Sequence, residues 1–159
     1  MTYSLSSKKI GTNFIIRNFS KKDSQGFTTL LSSVLKEFNM YLDPVYDNDL
    51  NDLPTFYGGK RDCFLIAEID GRIVGSCAIK EQKPKVGEIR KLYVQKDFRN
   101  LGIGGSLLDK VLEHAHRQQY QKLFLTTDKQ FIVASNLYQS RGFEIIKEIN
   151  SDIFMEKII

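Results

Sequence analysis

The chain has 159 residues, of which 42% are hydrophobic and 26% are charged, and its formal net charge is +4 at neutral pH. These values are typical of an ordinary globular protein, and we expect a single domain over residues 1–159 with a sizeable core. No apolar run approaches the roughly 20 residues that a membrane-spanning helix needs. Met1 to Lys9 contain no apolar stretch like that of a secretory signal, so we expect a cytoplasmic protein without membrane contact.

Cysteine and histidine are too few and too dispersed to indicate metal chemistry. Cys63 and Cys77 each lie in an apolar run, and we expect them to be buried thiols. His114 and His116 have no Cys or His at metal-ligand spacing. We therefore expect no metal site.

Charge is unevenly distributed along the chain. Residues 80–99 contain seven Lys or Arg against three Asp or Glu, whereas residues 41–54 contain four aspartates and no Lys or Arg. The first region predicts affinity for anions and the second for cations, although a solvated surface explains either one equally well. The basic region lacks interleaved aromatic residues, so we expect no nucleic-acid partner.

Hydrophobic periodicity predicts elements in the order β-α-β-β-β-α-β-α-β-β. Strands are predicted at 14–17, 63–69, 73–79, 88–94, 122–127, 143–149 and 153–157. Helices are predicted at 27–38, 104–118 and 131–140, and residues 43–54 at a loop or a short, broken helix.

The connections between these elements predict the fold class. Strand 88–94, helix 104–118 and strand 122–127 form a crossover unit, which predicts a parallel strand pair. Asp70-Gly71 predicts a hairpin turn and therefore antiparallel pairing elsewhere. We expect an α/β fold with a mixed, mostly antiparallel sheet, a central parallel pair and flanking helices.

A glycine-rich turn leads directly into the helix at 104–118. Glycines allow a ligand close to the backbone, and a helix start offers free N–H groups and the positive end of the helix dipole, which together suit a phosphate. A nucleoside-triphosphate loop needs Lys-Ser/Thr after its glycines, and none follows here. A dinucleotide fingerprint needs a third glycine where Leu107 stands. A plain glycine turn is the remaining alternative.

Two motifs in order favour one phosphate ligand. Arg99-x-x-Gly102-x-Gly104, preceded by Leu92-Tyr93-Val94, resembles motif A of the GCN5-related N-acetyltransferases. Ala134-x-x-Leu137-Tyr138-x-x-x-Gly142-Phe143 resembles motif B of the same family. The specific motifs cover only residues 88–143, while the predicted element order matches the family's acyl-CoA N-acyltransferase fold across most of the chain.

The resemblance implies acetyl-CoA as the acetyl donor. The backbone of Asn100, Leu101, Gly102, Ile103, Gly104 and Gly105 would then hold the pyrophosphate, with Arg99 as a nearby charge partner. A bulge in the preceding strand would expose Leu92, Tyr93 and Val94 to the pantetheine arm. The chain departs from the family at Phe131, where many relatives have an asparagine that contacts the cofactor. Asn136 is the alternative candidate, and a solvated helix position explains it equally well.

The resemblance also implies direct acetyl transfer to an amine in a ternary complex. Tyr138 matches the motif B tyrosine that protonates the departing thiolate in many members. Glu88 is the candidate base for the amine, although it could equally pair with Arg90 or a neighbouring lysine. The alternatives for both residues are structural: a tyrosine packed in the core and a surface ion pair.

The acceptor pocket of this fold is usually shaped by the first helices and their loop, here residues 38–57. Acidic and aromatic side chains together suit a cationic amine, so we expect a small acceptor such as a polyamine, an amino acid or an aminoglycoside-like compound. The aspartates concerned are Asp43, Asp47, Asp49 and Asp52. Alternatives are a protein N-terminus or lysine as acceptor, a non-catalytic acyl-CoA sensor, and a nucleic-acid module. The late strands of this fold often support homodimers.

Overall fold

The computed structural model describes residues 13–159. The expectation drawn from Met1 to Lys9 lies outside these residues, as do the first twelve residues of the expected domain. Within the described part, no helix is both long and apolar enough to cross a membrane.

Within the described residues, seven strands form one mixed sheet in the order β1-β2-β3-β4-β5-β7-β6. Only β4 and β5 run parallel, and the other neighbours are antiparallel. This arrangement confirms the predicted fold class. The strands are β1 (Ile15–Asn18), β2 (Cys63–Ile69), β3 (Arg72–Lys83), β4 (Val86–Val94), β5 (Lys122–Asp128), β6 (Glu144–Ile149) and β7 (Asp152–Ile158).

Helices lie on both faces of this sheet. They are α1 (Ser24–Glu37), the single-turn α2 (Leu53–Phe56), α3 (Ile103–Arg117) and α4 (Ile132–Ser140). One core packs α1 against the sheet through Phe27, Leu31 and Phe64. The other core packs α3 and α4 on the opposite face, through residues such as Leu107 and Tyr138.

The predicted elements are all present, with different ends. α1 begins at Ser24, ahead of the apolar spacing that starts at Phe27, and follows a 3-10 turn at Lys21–Asp23 that Ser20 and Asp23 close with a capping box. β3 extends to Lys83 and β4 begins at Val86, because the antiparallel pairing continues through polar residues that carry no apolar alternation. Residues 43–54 are indeed a broken segment, with a 3-10 turn at Asn48–Asn51 before α2.

The structure also shows the conformation of the Asp70-Gly71 turn and the burial of the two cysteines. Asp70 and Gly71 have φ angles of 48° and 77°, so the predicted hairpin turn between β2 and β3 is of the left-handed type. Cys77 is fully buried, whereas Cys63 is only half-buried, so the burial prediction is wrong for Cys63; both thiols are free. No cluster of potential metal ligands occurs among residues 13–159.

Candidate cofactor and acceptor site

The parallel strands β4 and β5 pair over a short distance and then separate. Their register joins Val86, Gly87 and Glu88 to Lys122, Leu123 and Phe124, and ends there, although both strands continue. Beyond this point β4 contains a bulge opposite Cys77, with Lys91 in the left-handed region at φ 58°. The two strands therefore form an opening in the sheet, with the bulged part of β4 along one side.

A groove of about 690 Å³ runs from this opening to the start of α3. Gly102 caps the helix with a φ of 81°, a conformation that favours glycine. The first backbone bond of the helix runs from the Ser106 N–H to the Gly102 carbonyl, so the N–H groups of Ile103, Gly104 and Gly105 have no partner within the helix. Ile103, Gly104 and Gly105 line the groove, at the place where the glycine pattern predicts an anion site.

Most of the expected cofactor residues line this one groove. They are Leu92, Tyr93, Val94, Arg99, Asn100, Gly102, Ile103, Gly104, Gly105 and Asn136. Leu101 does not line it, because its side chain packs against the main core. Phe131 and Asn136 both line the groove, so the alternative position for the missing asparagine faces the right space.

The groove wall is more apolar than the motifs indicate. Phe38, just after α1, meets Phe131, just before α4, edge to face with ring centroids 4.8 Å apart. Tyr93 lies beside Phe131 at 6.5 Å. Phe98, Ile132 and Val133 extend the same apolar lining. Sequence reasoning missed this wall, although the replacement at Phe131 was the signal that could have led to it.

Arg99 is held by the protein itself. Its Nη1 and Nη2 donate to the two carboxylate oxygens of Glu37, at 2.6 and 2.8 Å. Its Nε donates to the Val94 carbonyl at 3.0 Å. The guanidinium therefore links the end of α1, the end of β4 and the glycine loop.

Tyr138 lies on the buried face of α4. Its ring packs against Phe143 at 5.8 Å and belongs to the core around α3, and it does not line the groove. Burial raises the pKa of its hydroxyl well above the ordinary value, and the neighbouring Cys77 and Tyr93 act in the same direction. The hydroxyl thus stays protonated at neutral pH, as a proton donor must.

Glu88 lies where β4 and β5 separate. Its Oε1 accepts hydrogen bonds from Gln82 Nε2 at 2.8 Å and from Arg90 Nη1 at 3.2 Å. The carboxylate is thus oriented through one oxygen, while Oε2 carries neither of these bonds. Both readings of Glu88 from the sequence, base and partner of Arg90, therefore fit this geometry.

Arg90 and Lys91 connect β4 to the acceptor-side segment, residues 41–57. Lys91 Nζ lies 2.9 Å from Asp47 Oδ1 and 3.3 Å from Asp49 Oδ1, and its side chain is 1% exposed. Arg90 donates to the Tyr57 hydroxyl and the Tyr46 carbonyl, and its guanidinium lies 4.8 Å from the Tyr46 ring centroid. Asp47 and Asp49 are thus paired within the protein. Arg90 and Lys91 both form ion pairs with carboxylates of the chain itself.

Asp43 and Asp52 behave differently from the other two aspartates. Asp43 accepts the backbone N–H groups of Val45 and Tyr46, and Asp52 caps α2 by accepting from Thr55. These bonds hold the pKa of each carboxyl below its ordinary value. Both are exposed, and within residues 13–159 neither belongs to an ion pair. They add exposed negative charge to this segment, and Lys21 acts on the Asp52 carboxyl by lowering its pKa further.

Known proteins match both the sequence and this structure. The model of the acetyltransferase (GNAT) family matches residues 28–143. N-acetylaspartate synthetase of Xenopus tropicalis is 30% identical over 115 residues, which cover 71% of this chain and 42% of that protein. Human N-acetyltransferase 8 is 32% identical over 124 residues, which cover 74% of this chain and 55% of that protein. The chain thus spans about half or less of the length of these relatives.

Solved structures share the whole fold. An acetyltransferase of the GNAT family from Staphylococcus aureus Mu50 has a TM-score of 0.83 and 26% identity, over 91% of this chain and 98% of that one. PaiA N-acetyltransferase from Thermoplasma acidophilum, solved in complex with coenzyme A, has a TM-score of 0.75 and 19% identity, over 92% and 99%. With the family model covering most of the chain and these folds matching throughout, the chain belongs to the GNAT family of acetyltransferases.

Proposed function

We propose that this chain transfers the acetyl group of acetyl-CoA to a primary amine. The observation that carries the proposal is the single groove that joins the free N–H groups of Ile103 to Gly105 to the bulged part of β4. Pyrophosphate fits the first end because helix N-terminal amides bind anions. The apolar wall suits the pantetheine arm, and the neighbour solved with coenzyme A has the same fold.

The reaction is direct attack of the amine on the thioester. Glu88 takes a proton from the ammonium, directly or through a water molecule, through the carboxylate oxygen that its two hydrogen bonds leave free. The amine nitrogen then bonds to the acetyl carbon, the carbon–sulfur bond breaks, and the nitrogen loses its second proton to solvent as the amide forms. Tyr138 is the proposed proton donor to the departing thiolate, which leaves as coenzyme A thiol, and the tyrosinate regains a proton from solvent. Because the Tyr138 ring lies in the core and does not line the groove, this role requires its hydroxyl to reach the thiolate when acetyl-CoA is bound.

The acceptor is a small cationic amine. Arg90 and Lys91 are buried and paired with internal acids, so neither offers a free positive charge to an acidic acceptor. Asp43 and Asp52 carry exposed negative charge that attracts cations. This charge pattern favours a polyamine or a basic amino acid over the aspartate named in the N-acetylaspartate synthetases.

An amine panel tests this function. Purified protein is given acetyl-CoA and, separately, a polyamine, a basic amino acid, aspartate and an aminoglycoside, and thiol release is followed with the acetylated product identified by mass spectrometry. We expect turnover with the polyamine or the basic amino acid and none with aspartate. Selective turnover of aspartate would overturn the acceptor class, and thiol release without any acetylated amine would favour the non-catalytic sensor.

A peptide acceptor is a second candidate, favoured by one observation. Tyr41 and Val45 are 90% and 82% exposed on the acceptor-side segment, and Leu42 is exposed beside them. Exposed apolar side chains in one short segment are typical of protein contact sites. Peptides with a free N-terminus or a lysine therefore belong in the same panel, and faster turnover of a peptide than of any small amine would favour this candidate.

A homodimer also stays a prediction. β6 forms an edge of the sheet, and its Ile145, Ile146 and Ile149 are exposed. An exposed edge strand with apolar side chains can pair with a second copy. Light scattering at several concentrations measures this directly, and a monomer mass throughout would contradict it.

A further inference from the structure

Arg99, at the start of the glycine loop, already donates hydrogen bonds to Glu37 through the two N–H groups that would otherwise be placed to bind a phosphate. Arg99 presents Nη1 and Nη2 side by side to Glu37, in the bidentate geometry that guanidinium groups use for carboxylates and phosphates alike. A phosphate that used the same two N–H groups would have to displace this carboxylate. The side chains are 27% and 21% exposed, so solvent screens the pair only in part.

The same arginine fixes the position of the glycine loop. Its Nε bond to the Val94 carbonyl joins the loop to the end of β4, five residues earlier. Its guanidinium also lies 5.9 Å from the ring centroid of Phe38. Arg99 thus contacts β4, Glu37 and Phe38 at once. We call this set of contacts the Arg99 clamp.

Glu37 connects this clamp to the groove wall. It is the last residue of α1, and Phe38 follows it at once. Phe38 lines the groove and meets Phe131 on the opposite wall. If Glu37 released Arg99, the end of α1 and the glycine loop would lose their direct ion pair.

We propose that Glu37 is a positioning residue for acetyl-CoA, which acts through Arg99. In this role Arg99 clamps the loop to α1, and the backbone N–H groups of Ile103 to Gly105 bind the pyrophosphate without it. The inference rests on the proposed binding of acetyl-CoA in the groove. It adds a residue from the first helix, outside both motifs, to the cofactor site.

A double-mutant cycle tests the clamp. Coenzyme A is titrated calorimetrically into the wild type, Glu37→Ala, Arg99→Ala and the double variant. Both single changes break the hydrogen bonds between Arg99 and Glu37, and Arg99→Ala also removes the Nε bond to the Val94 carbonyl. We therefore expect Glu37→Ala to raise the Kd about tenfold, Arg99→Ala to raise it at least as much, and the double variant to bind no more weakly than Arg99→Ala. In steady-state assays the KM for acetyl-CoA should rise with the Kd, whereas the KM for the amine should not.

A matched control and a graded variant sharpen the cycle. Glu68→Ala breaks another arginine–carboxylate pair of similar exposure, to Arg17 on the far edge of the sheet, and leaves the Kd unchanged. Glu37→Gln keeps one acceptor oxygen and gives an intermediate Kd. If Arg99→Ala does not fold, Arg99→Lys replaces it. Lysine keeps the positive charge but cannot donate two parallel hydrogen bonds to the carboxylate, so we expect its Kd for coenzyme A to equal that of Glu37→Ala.

Other outcomes overturn the clamp. If Glu37→Ala binds coenzyme A as tightly as the wild type or more tightly, while Arg99→Ala binds it weakly, then Arg99 is a phosphate ligand and Glu37 merely competes for it. If neither single variant changes the Kd, the pair has no role in cofactor binding. A wild-type protein that does not bind coenzyme A at all would instead overturn the proposed function.

Discussion

Glu88 on β4 and Phe124 on β5 form the last registered pair between these two parallel strands. Beyond this pair the strands diverge: Ile89 to Val94 have no registered β5 partner, and the last three of them, Leu92 to Val94, line the groove. The candidate base therefore lies at the point where the sheet opens. Glu88 itself does not line the groove, so the proposed base role requires the amine or a water molecule to reach its carboxylate at this opening.

Replacement of Tyr138 by Phe should impair the chemical step alone. The ring keeps its packing on Phe143, so we expect folding and the Kd for coenzyme A to be unchanged. Without the proton donor, kcat should fall about 100-fold. Steady-state kinetics at saturating substrates measure this, and an unchanged kcat would assign the tyrosine a purely structural role.

Replacement of Glu88 by Gln should cause a loss that depends on pH. At neutral pH we expect kcat/KM for the amine to fall about 100-fold, because no base removes the ammonium proton. As the pH rises toward the ordinary amine pKa of about 10, free amine accumulates and the difference from the wild type should shrink. Glu81→Gln on β3 is the control. A loss equal at every pH would show that Glu88 only pairs with Arg90.

Replacement of Asp43 and Asp52 by Asn should weaken binding of the amine acceptor and leave binding of coenzyme A unchanged. Asparagine can still accept the N–H groups of the two turns, so the change removes charge but little structure. We expect KM for a polyamine to rise about two- to fivefold per site at low salt, and less at high salt. An unchanged KM for the amine would contradict a cationic acceptor selected by these charges.

Asp23 should make folding stability depend on acid pH. The Arg17 side chain holds the pKa of Asp23 at about 2, below the ordinary 3.8. A depressed pKa means that the pair stabilises the fold above about pH 4 and that this contribution is lost as the pH falls toward 2. Asp23→Asn should lower the free energy of unfolding by about 1–2 kcal/mol at neutral pH. It should also make that free energy depend less on pH between about pH 2 and 4. Denaturant unfolding between pH 2 and 7 checks this, and parallel curves for both proteins would contradict it.

Local patterns predicted what depends on a few neighbouring residues. The Asp70-Gly71 turn, the glycine start of α3 and the parallel crossover all follow from short-range conformational preferences and apolar spacing. Ten of the eleven residues that the motifs predict for the cofactor site line one groove. The eleventh, Leu101, packs its side chain against the core, and the role of its backbone N–H stays a prediction.

Long-range partners could not be predicted in this way. Arg99 meets Glu37 across 62 positions of sequence, and Lys91 meets Asp47 across 44. Neither pair has a local signature, since a surface arginine and a clamped one look identical in sequence. The sequence therefore predicts that all four aspartates of the acidic segment attract the acceptor, whereas Asp47 and Asp49 pair with Lys91.

In the proposed complex, the groove holds acetyl-CoA by the amides of the glycine loop and by the bulged part of β4. An NMR titration of nitrogen-15-labelled protein with coenzyme A tests this residue by residue. We expect the largest amide shifts at Gly102, Ile103, Gly104 and Gly105, followed by Leu92 to Val94, with the far-edge strand β1 unaffected. Shifts confined to residues outside the groove, or no shifts at saturating coenzyme A, would contradict it.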